Sequence, residues 1–483
     1  MKRDERHLSN LVLLLILVVV ALYLVKTESE PDIFGRIAYA RDAFARGDFT
    51  WHTDPYSYTV PGGRWVDHEW GFSWVAFLTY QLGGWEAIRV LRVALMAATA
   101  WVCLDTTRRM PDAARIRPLM GFMLAAPLAL AFIGPRAQAF GYLLFAWMVW
   151  CFARSWNGSL RWVLWGVAPM PLWVNLHGGF IAGMGVVALW CALRLFTVVQ
   201  SRDRKGLALL ALALAWCGVS ALLQPWGWNY ALVVAPAGTM VRPFVDEWSP
   251  PKFLGPHWIS AVMLTAAGVA AALAKPRRWP NLAVIAVLAV ETFLHRRHLM
   301  FLAIAVAVFG FPALVSLWNS WRPLRRAGHF RILVRLATVV VGIATLFLLG
   351  VVGGTVRTPA PHEPDWPTSA LEFLRTQGSG GLLVDFNWAQ YVIFEASPQF
   401  KVAIDGRYEE VYPDDVMQRY VAWHYGLDGW QSLPADPATR FALVMTNSAQ
   451  AKRLDALAPQ WRRIYSDSTA TAFAKAPDVG PTR

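Results

Sequence analysis

Side chains that can do acid–base chemistry are concentrated between residues 26 and 70. Asp32 lies near the start of this stretch, Asp54 in its middle, and His68 and Glu69 at its end. A carboxylate can remove a proton from a hydroxyl group, and carboxylates and imidazoles can bind a divalent metal such as Mg²⁺ or Mn²⁺. We therefore predict catalytic roles for Asp32, Asp54 and Glu69 and a substrate-binding role for His68. All four are candidate metal ligands, although their spacing is diagnostic of no metal, and no cofactor is certain.

Each of these candidates also has a structural interpretation. Asp32 would be a carboxylate at a helix N-terminus, where the helix dipole favours negative charge. Asp54 precedes a proline and would be a turn residue. His68 and Glu69 would cap the helix that follows. In the C-terminal part of the chain, we expect Asp405-Gly406-Arg407 to end a strand in a turn, with the arginine in a salt bridge.

Arginines that can bind phosphate lie at the ends of apolar segments. The guanidinium group presents a planar fork of donors that fits a phosphate group. Arg136, Arg296 and Arg297 each lie beside such an end, at the depth of a lipid head group, and we predict that they bind substrate. The alternative is that each side chain simply reaches from an apolar helix to the membrane interface.

Three further polar side chains near the same ends are predicted to bind substrate. Asn175 and His177 precede a pair of glycines, where a hydrogen bond between helices is the alternative. Glu291 lies one turn before His295 on the same helix face, and we expect it to pair with an arginine in a structural or catalytic role. The later segment Asp246-Glu247-Trp248 is placed to cover a site.

Hydropathy predicts the elements that position these residues. Residues 33–47 form an amphipathic pattern typical of a surface helix. Its apolar face is made by Ile33, Ile37, Ala40 and Phe44. The segment Trp70–Leu82 is apolar but short, which indicates a helix lying in or dipping into the membrane interface.

Segments of membrane-spanning length fill most of residues 8–356. A helix crosses the bilayer core with about 20 apolar residues, and about eleven such spans fit the sequence. The first is Leu8–Val25 and the last lies near Leu336–Val356. We interpret Leu8–Val25 as an uncleaved anchor instead of a signal peptide, because no small-residue cleavage site follows it.

The distribution of Lys and Arg predicts the orientation, since cytoplasmic loops are the basic ones. Five basic loops fall on the same side of the spans as the basic N-terminus. Their residues are Arg108, Arg109, Arg115 and Arg117, then Arg154 and Arg161, then Arg202, Arg204 and Lys205, then Lys275, Arg277 and Arg278, and finally Arg322, Arg325, Arg326 and Arg331. The loops at 26–70 and 224–257 are then outside the cytoplasm, as is everything after residue 357.

Composition agrees with a membrane protein. The chain is 56% hydrophobic and carries a formal net charge of +13. Because the basic excess lies in the cytoplasmic loops, we exclude nucleic-acid binding. The four cysteines fall within predicted spans, with neither metal-ligand spacing nor a disulfide framework. They are Cys103, Cys151, Cys191 and Cys217.

A proline-rich linker at residues 358–364 divides the chain into a membrane domain, residues 1–356, and a soluble α/β domain, residues 357–483. In the latter, Ser369-Ala370-Leu371-Glu372 is predicted as a capping box that opens a helix ending at Gly378. A further helix is predicted to begin near Pro413. Strands are predicted at Gly381–Phe386, Lys401–Asp405 and Phe441–Thr446, and a hairpin from Arg463–Asp467 and Thr469–Lys475. The predicted fold class is a polytopic α-helical membrane protein with a C-terminal soluble α/β domain.

With these features the chain resembles the GT-C superfamily of multispan membrane glycosyltransferases. The resemblance rests on the long first outer loop, the acidic residue just past the first span and the surface helix. Further motifs are similar to a group of uncharacterised bacterial membrane proteins assigned to that superfamily. They are Asp54-Pro55-Tyr56-Ser57-Tyr58-Thr59, Gly63, Trp65, His68-Glu69-Trp70 and Val402-Ala403-Ile404-Asp405-Gly406-Arg407. The resemblance implies sugar transfer from a polyprenyl-phosphate carrier on the outer membrane face, with Asp32 in the place of the catalytic base. The Asp-Glu pair common in protein mannosyltransferases is Asp32-Ile33 here, a departure from that pattern.

The expected function is therefore an inverting-type glycosyltransferase at the outer face of the cytoplasmic membrane. Its partners would be a polyprenyl-phosphate-linked sugar, membrane lipid, and a glycan, lipid or protein acceptor of the cell envelope. A transporter or flippase of lipid-linked intermediates, or a non-catalytic assembly protein, is the alternative. Transporters usually place polar groups at mid-membrane and in paired halves, whereas this chain has them at one face. We expect the loop carboxylates to form one pocket with Arg136, His177 or Arg296.

Overall fold

A computed structural model describes residues 30–108, 117–131, 134–156, 158–230, 246–320 and 366–476, with the single residues 13, 20, 110 and 113. The chain forms two compact units. Among the described residues, the helical unit contains 86–224 and 246–320, together with 13 and 20. The mixed unit contains 30–85, 225–230 and 366–476. The first outer loop, which the sequence prediction assigned to the membrane domain, thus packs with the C-terminal α/β domain.

Helix α1, Pro31–Arg46, is the predicted surface helix. Proline suits the first helical turn because the N–H that it lacks has no helical partner there. Gly47 ends the helix in the left-handed region, at φ 77°, and its N–H bonds to the carbonyls of Ala43 and Phe44. Of the predicted apolar face, three residues are buried, whereas Phe44 is exposed.

Helix α2, Trp70–Arg108, is interrupted at two glycines. Gly83 and Gly84 have non-helical backbone angles, and φ at Gly84 is 58°, a conformation that favours glycine. The interruption ends the segment Trp70–Leu82 that the sequence predicted as a separate short helix. The two parts fall in different units, because the boundary between the units lies at Trp85.

The rest of the helical unit is a series of apolar helices. They are α3 Arg117–Ala131, α4 Gln138–Ser155, α5 Arg161–Val167, α6 Met170–Leu176, α7 Phe180–Gln200, α8 Arg204–Ser220, α9 Pro256–Ala272, α10 Trp279–Leu294, α11 Leu299–Ala305 and α12 Phe311–Ser320. A π-helical turn, Val306–Gly310, joins the last two, and single 3₁₀ turns occur at Asp246–Trp248 and Arg296–His298.

Three segments of the described chain are long and apolar enough to cross a membrane. They are Trp70–Arg108, Phe180–Gln200 and Arg296–Leu317. Leu119–Ala131, Pro256–Ala272 and Trp279–Leu294 are apolar but shorter. The predicted first and last spans lie outside the described residues, apart from residues 13 and 20, and the count of about eleven stays a prediction. All four cysteines are buried and free.

The C-terminal part of the mixed unit is the predicted α/β domain. Its helices are α13 Thr368–Gln377, α14 Phe386–Ala396, α15 Asp414–Tyr425, α16 Ser432–Ala435 and α17 Ala449–Asp455. Its strands are β1 Gly380–Val384, β2 Phe400–Val402, β3 Thr439–Met445, β4 Trp461–Ser466 and β5 Ala470–Lys475. They form one sheet in the order β2-β1-β3-β5-β4, in which β2, β1 and β3 are parallel and β5 is antiparallel to both of its neighbours.

The predicted strands, the closing hairpin, the helix at Pro413 and the helix stop at Gly378 are confirmed within a few residues. The capping box is wrong, because α13 begins at Thr368 and its N-cap, Pro367, has no side chain that can accept a hydrogen bond. The helix therefore starts before Ser369, so that residue lies inside the first turn.

The first outer loop extends this sheet. The N–H of Tyr58 donates to the carbonyl of Val402 at 3.1 Å, and the N–H of Val402 donates to the carbonyl of Tyr56 at 2.9 Å. Strand β2 is at the edge of the sheet, so the loop covers backbone groups that would otherwise be unpaired. This pairing places the loop's acidic residues against the turns that follow β2.

Candidate active site in the first outer loop

A fully buried ionic cluster joins the first loop to the C-terminal domain. Arg407 Nη1 donates to Asp54 Oδ1 at 2.7 Å, and Arg407 Nη2 donates to Asp405 Oδ2 at 2.6 Å. The hydroxyl of Tyr412 donates to Asp405 Oδ2 at 2.9 Å. Both charged side chains of the Arg407–Asp54 pair are 0% exposed. We call Asp54, Asp405, Arg407 and Tyr412 the closed cluster.

Asp54 is also the centre of a turn, as its structural interpretation predicted. The backbone N–H groups of Tyr56 and Ser57 donate to its two oxygens at 2.9 and 3.1 Å, and the hydroxyl of Ser57 also donates to it. The guanidinium of Arg407 lies 4.5 Å from the ring centre of Trp65, which is completely buried. The burial of an arginine among aromatic rings requires opposite charge, which Asp54 and Asp405 supply.

A second ionic cluster in the same unit is partly open to solvent. Arg36, on α1, donates to Asp67 Oδ1 at 2.6 Å. It also lies 2.8 Å from Glu69 Oε2 and 3.9 Å from Glu410 Oε1. The Glu69 side chain is 15% exposed, against 3% for Asp67 and 4% for Glu410. We call Arg36, Asp67, His68, Glu69 and Glu410 the open cluster.

His68 is the most exposed member of the open cluster, at 26%. Its Nδ1 lies 2.7 Å from Glu410 Oε1, and its Nε2 lies 3.6 Å from Glu69 Oε1. Trp65 Nε1 donates to the other oxygen of Glu410 at 3.1 Å. Glu410 therefore fixes the orientation of the imidazole from the C-terminal domain, and Glu69 and His68 form the exposed edge of the cluster.

The charged groups of the open cluster shift one another's pKa values. Burial alone would lower the pKa of His68, but the charge and hydrogen bond of Glu410 and the charge of Glu69 raise that pKa to about 9. Burial raises the pKa of Asp67 to about 6, against the opposing effect of Arg36. Burial also opposes the ionisation of Glu410, but the charges of His68 and Arg36 outweigh it and lower the Glu410 pKa. At neutral pH, His68 is thus an imidazolium beside Glu69.

Asp32 lies in the first turn of α1, where the helix dipole favours a carboxylate. It is half-buried. A Cβ atom built on Gly406 would be 3.2 Å from Asp32 Oδ1, so this carboxylate lies against the backbone next to Arg407. The structure therefore brings Asp32 beside the turn that carries the closed cluster.

No group of three or more His, Cys, Asp or Glu side chains that could hold a metal ion occurs in the described part of the chain. The Asp54 carboxylate is bonded to Arg407 in the closed cluster, the Glu69 carboxylate is paired with Arg36 in the open cluster, and the His68 imidazole is paired with Glu410. Asp32, Asp54, His68 and Glu69 therefore do not form a recognisable metal centre here. A divalent metal stays a prediction.

A third cluster lies in the helical unit. Arg136 Nη1 donates to Glu247 Oε2 at 2.6 Å, and Gln138 Nε2 donates to Glu247 Oε1 at 3.0 Å. Arg297 Nη1 lies 3.9 Å from the same Oε1, and its guanidinium stacks 4.1 Å from the ring centre of Trp248. We call Arg136, Gln138, Glu247 and Arg297 the Glu247 cluster. The segment at residues 246–248 thus covers two of the predicted phosphate-binding arginines.

The other predicted residues of the helical unit lie at helix ends. Asn175 Nδ2 donates to the carbonyl of Leu223 at 2.7 Å, the contact between elements that its structural interpretation expects. His177 is buried, and its Nδ1 accepts the N–H of Gly179 at 3.0 Å. The backbone N–H of Arg296 donates to the carbonyl of Ser249 at 3.0 Å.

Glu291 does not have the expected arginine partner among the described residues. Its Oε2 lies 3.6 Å from His295 Nδ1 and 3.8 Å from His298 Nδ1. The i,i+4 spacing explains the first contact, since those positions share a helix face. The second arises because the 3₁₀ turn after α10 brings His298 back towards the same carboxylate.

Sequence reasoning missed Arg36, Glu410, Gln138 and the ion-pairing of Glu247. Arg36 lies on α1 next to Ile37, which belongs to the predicted apolar face. An arginine at the edge of an apolar helix face needs a partner for its charge, and this signal was available in the sequence. Glu410 has no such signal, because its partners lie far away along the chain. The predicted pocket of loop carboxylates with Arg136, His177 or Arg296 joins residues of both units and stays a prediction.

Comparisons with known proteins support the fold. The sequence matches no protein-family model and no curated protein. Among solved structures, the crystal structure of ArnT from Cupriavidus metallidurans bound to undecaprenyl phosphate is similar, with a TM-score of 0.53 at 16% identity over 98% of this chain and 99% of ArnT. The cryo-EM structure of arabinofuranosyltransferase AftD from Mycobacteria has a TM-score of 0.52 at 14% identity over 97% of this chain and 42% of AftD. The chain thus spans less than half of AftD. These likenesses show that the chain shares the fold of ArnT and of part of AftD.

Proposed function

We propose that this chain is a membrane glycosyltransferase that moves a sugar from a polyprenyl-phosphate donor to a cell-envelope acceptor at the outer face of the cytoplasmic membrane. The observation that carries the proposal is the open cluster, in which Glu69 and the imidazolium of His68 lie side by side and are both partly exposed, on a chain that shares the fold of ArnT. A carboxylate suits the removal of a proton from an acceptor hydroxyl. A cation suits the phosphate that leaves.

Burial and pairing support different roles for the three predicted catalytic carboxylates. Asp54 is fully buried and held by Arg407, so we propose that it positions the loop and does not transfer a proton. Asp32 and Glu69 keep part of their surface exposed. We propose Asp32 as the base, in line with its place after the first span, and Glu69 as the residue that takes this role if Asp32 does not.

The Glu247 cluster supports a phosphate subsite. Two arginines and an amide already hold a carboxylate there, and the same donors fit the oxygens of a phosphate group. ArnT was solved with undecaprenyl phosphate bound, which supports a lipid of that class as the donor's carrier.

Donor turnover tests the activity without knowledge of the acceptor. Purified protein in lipid nanodiscs is incubated with a panel of polyprenyl-phosphate sugars labelled in the sugar, with an envelope extract as acceptor, and the release of free polyprenyl phosphate is measured. We expect release with at least one sugar, and loss of that release in Asp32→Asn. EDTA in a parallel reaction tests the predicted metal. Movement of intact labelled donor across a vesicle membrane without release would support the transporter or flippase instead.

Cysteine labelling tests the proposed location. Single cysteines are introduced at Ser379, in the C-terminal domain, and at Ser201, in a basic loop, in a background without the four native cysteines. A reagent that does not cross membranes should label Ser379→Cys in intact cells and Ser201→Cys only after lysis. Labelling of Ser201→Cys alone in intact cells would mean that the chain has the opposite orientation.

A further inference from the structure

Glu247 is bound in the way that an anionic ligand is bound. Its Oε2 accepts from Arg136 at 2.6 Å, its Oε1 accepts from Gln138 at 3.0 Å, and Arg297 forms a longer ion pair with Oε1 at 3.9 Å. Three side chains from two separate parts of the helical unit, α4 with the turn before it and the turn after α10, thus converge on one carboxylate from a third segment. A phosphate oxygen pair offers the same acceptors at nearly the same spacing.

The carboxylate is ionised and reachable. Burial opposes the ionisation of Glu247, but the charges of Arg136 and Arg297 and the hydrogen bond from Gln138 outweigh it and lower the Glu247 pKa. Side-chain exposures of 23% for Glu247, 31% for Arg136 and 19% for Arg297 leave the ion pairs in contact with the surroundings. An anion can therefore approach these donors and compete with the carboxylate.

Arg297 gives the arrangement its shape. Its guanidinium stacks 4.1 Å from the ring centre of Trp248, the residue next to Glu247, and its Nη1 lies 3.9 Å from Glu247 Oε1, so one side chain contacts two consecutive residues of the segment. Arg296 holds the same segment through its backbone N–H bond to Ser249. The segment is therefore held at the two residues that directly follow Glu247, and exchange with a phosphate can occur by rotation of the Glu247 side chain.

We propose that Glu247 occupies the donor's phosphate subsite when the donor is absent, and that the phosphate must displace it to bind. This inference rests on the proposed function. It makes Glu247 an internal competitor that lowers the affinity for polyprenyl phosphate and keeps the two arginines neutralised in the empty enzyme. Neutral polyprenols, which carry no phosphate, do not compete with it.

Binding of a polyprenyl phosphate and of the matching polyprenol to the full-length protein in nanodiscs tests the inference. Native mass spectrometry gives the dissociation constant of each ligand for the wild type, Glu247→Gln, Asp246→Asn and Arg136→Gln. Asp246→Asn is the matched control, because it removes the same charge one residue away. We expect Glu247→Gln to bind the phosphate roughly threefold to thirtyfold more tightly, since a state that cannot bind is no longer populated. Polyprenol binding should be unchanged.

The outcomes separate the inference from the function on which it rests. Tighter phosphate binding by Glu247→Gln but not by Asp246→Asn supports displacement. If Glu247→Gln binds the phosphate as tightly as the wild type or more weakly, displacement is overturned, because Glu247 would then only position the arginines. Weaker binding by Arg136→Gln in the same experiment would leave the phosphate subsite itself in place. An equal gain in Asp246→Asn would mean that only the charge of the loop matters, which also overturns it. Indifference of Arg136→Gln to the phosphate would remove the subsite itself.

Discussion

The closed and open clusters of the mixed unit each have an arginine surrounded by carboxylates, but they differ in their contact with solvent. In the closed cluster, Arg407 and Asp54 are 0% exposed and every charge faces a protein partner. In the open cluster, three carboxylates surround Arg36, and two of the members, Glu69 and His68, reach the surface. Both clusters join the first loop to the C-terminal domain.

The difference in exposure distinguishes ion pairs that stabilise the fold from carboxylates that a substrate can reach. An ion pair in a dry interior is expensive to break, because one partner would remain buried and unpaired. It cannot exchange protons with a substrate that does not reach it. A carboxylate at the edge of a cluster stays ionised because neighbouring cations stabilise its charge, and its exposed part can still contact a ligand. We therefore propose that the closed cluster holds the loop in place and that Asp32 and the edge of the open cluster take part in the reaction.

The largest effect is expected from Asp32→Asn. A general base typically contributes about 10²–10⁴-fold, and the amide keeps size while losing basicity, so sugar transfer should fall on that order. Thermal unfolding should stay near that of the wild type. Asp48→Asn is the control, because the Asp48 side chain is 56% exposed. Asp42, on α1, is less suitable because its carboxylate accepts hydrogen bonds from Arg41 and Tyr56.

Near-normal transfer by Asp32→Asn would shift the base role to the open cluster, where Glu69→Gln should then show the loss. If both variants and Asp54→Asn transfer normally, no carboxylate of this loop is the base. The partly exposed edge of the open cluster would then have no catalytic role, and the transporter interpretation would become the leading one.

Arg407→Gln should have the largest effect on stability. It leaves Asp54 and Asp405 buried without their cation, and breaking a buried pair in this way costs about 3–5 kcal/mol. We expect a lower melting temperature in detergent and faster proteolysis within residues 47–67. A melting temperature equal to that of the wild type would show that the closed cluster is not what holds the loop.

His68 should make stability depend on pH. Its folded pKa of about 9 exceeds the ordinary 6.5, so its stabilising contribution is complete below pH 6.5 and is lost as the pH rises through 9. After allowance for the partial exposure of His68, this contribution to the free energy of unfolding is at most about 2–3 kcal/mol. The melting temperature should fall between these pH values, and His68→Asn should flatten this part of the curve. An unchanged slope in the variant would assign it to other groups.

The smallest effect is expected from Arg463→Gln. Arg463 pairs with Asp455 in the same unit, but the two side chains are 49% and 43% exposed. Such surface pairs contribute about 0–1 kcal/mol. Its melting temperature should stay within a degree or two of the wild type. A loss as large as that of Arg407→Gln would show that burial is not the cause of the difference between the clusters.

Local sequence determined the elements and where they end. Pro31 and Gly47 delimit α1 because their backbone preferences suit a helix start and a helix stop. Short apolar runs located the buried strands β1 and β3 of the C-terminal sheet, since a strand covered on both faces is apolar at successive positions. The resemblance to GT-C proteins likewise rested on short motifs, and it predicted the fold. The turn at Asp54 was also predicted, because it depends on neighbouring residues. The salt bridge of Arg407 was predicted as well, because a buried charge needs a partner of opposite charge.

Tertiary structure alone decided which charges meet. Nothing near Asp54 in the sequence indicates Arg407, and nothing near Arg36 or His68 indicates Glu410, because each pair is formed by chain segments more than 300 residues apart. Residue type gives the charge of a side chain, but its pKa and its access to substrate depend on the burial and partners that packing supplies. This is why the sequence named Asp54 and Glu69 as equal candidates, and only the folded chain separated the buried carboxylate from the exposed one.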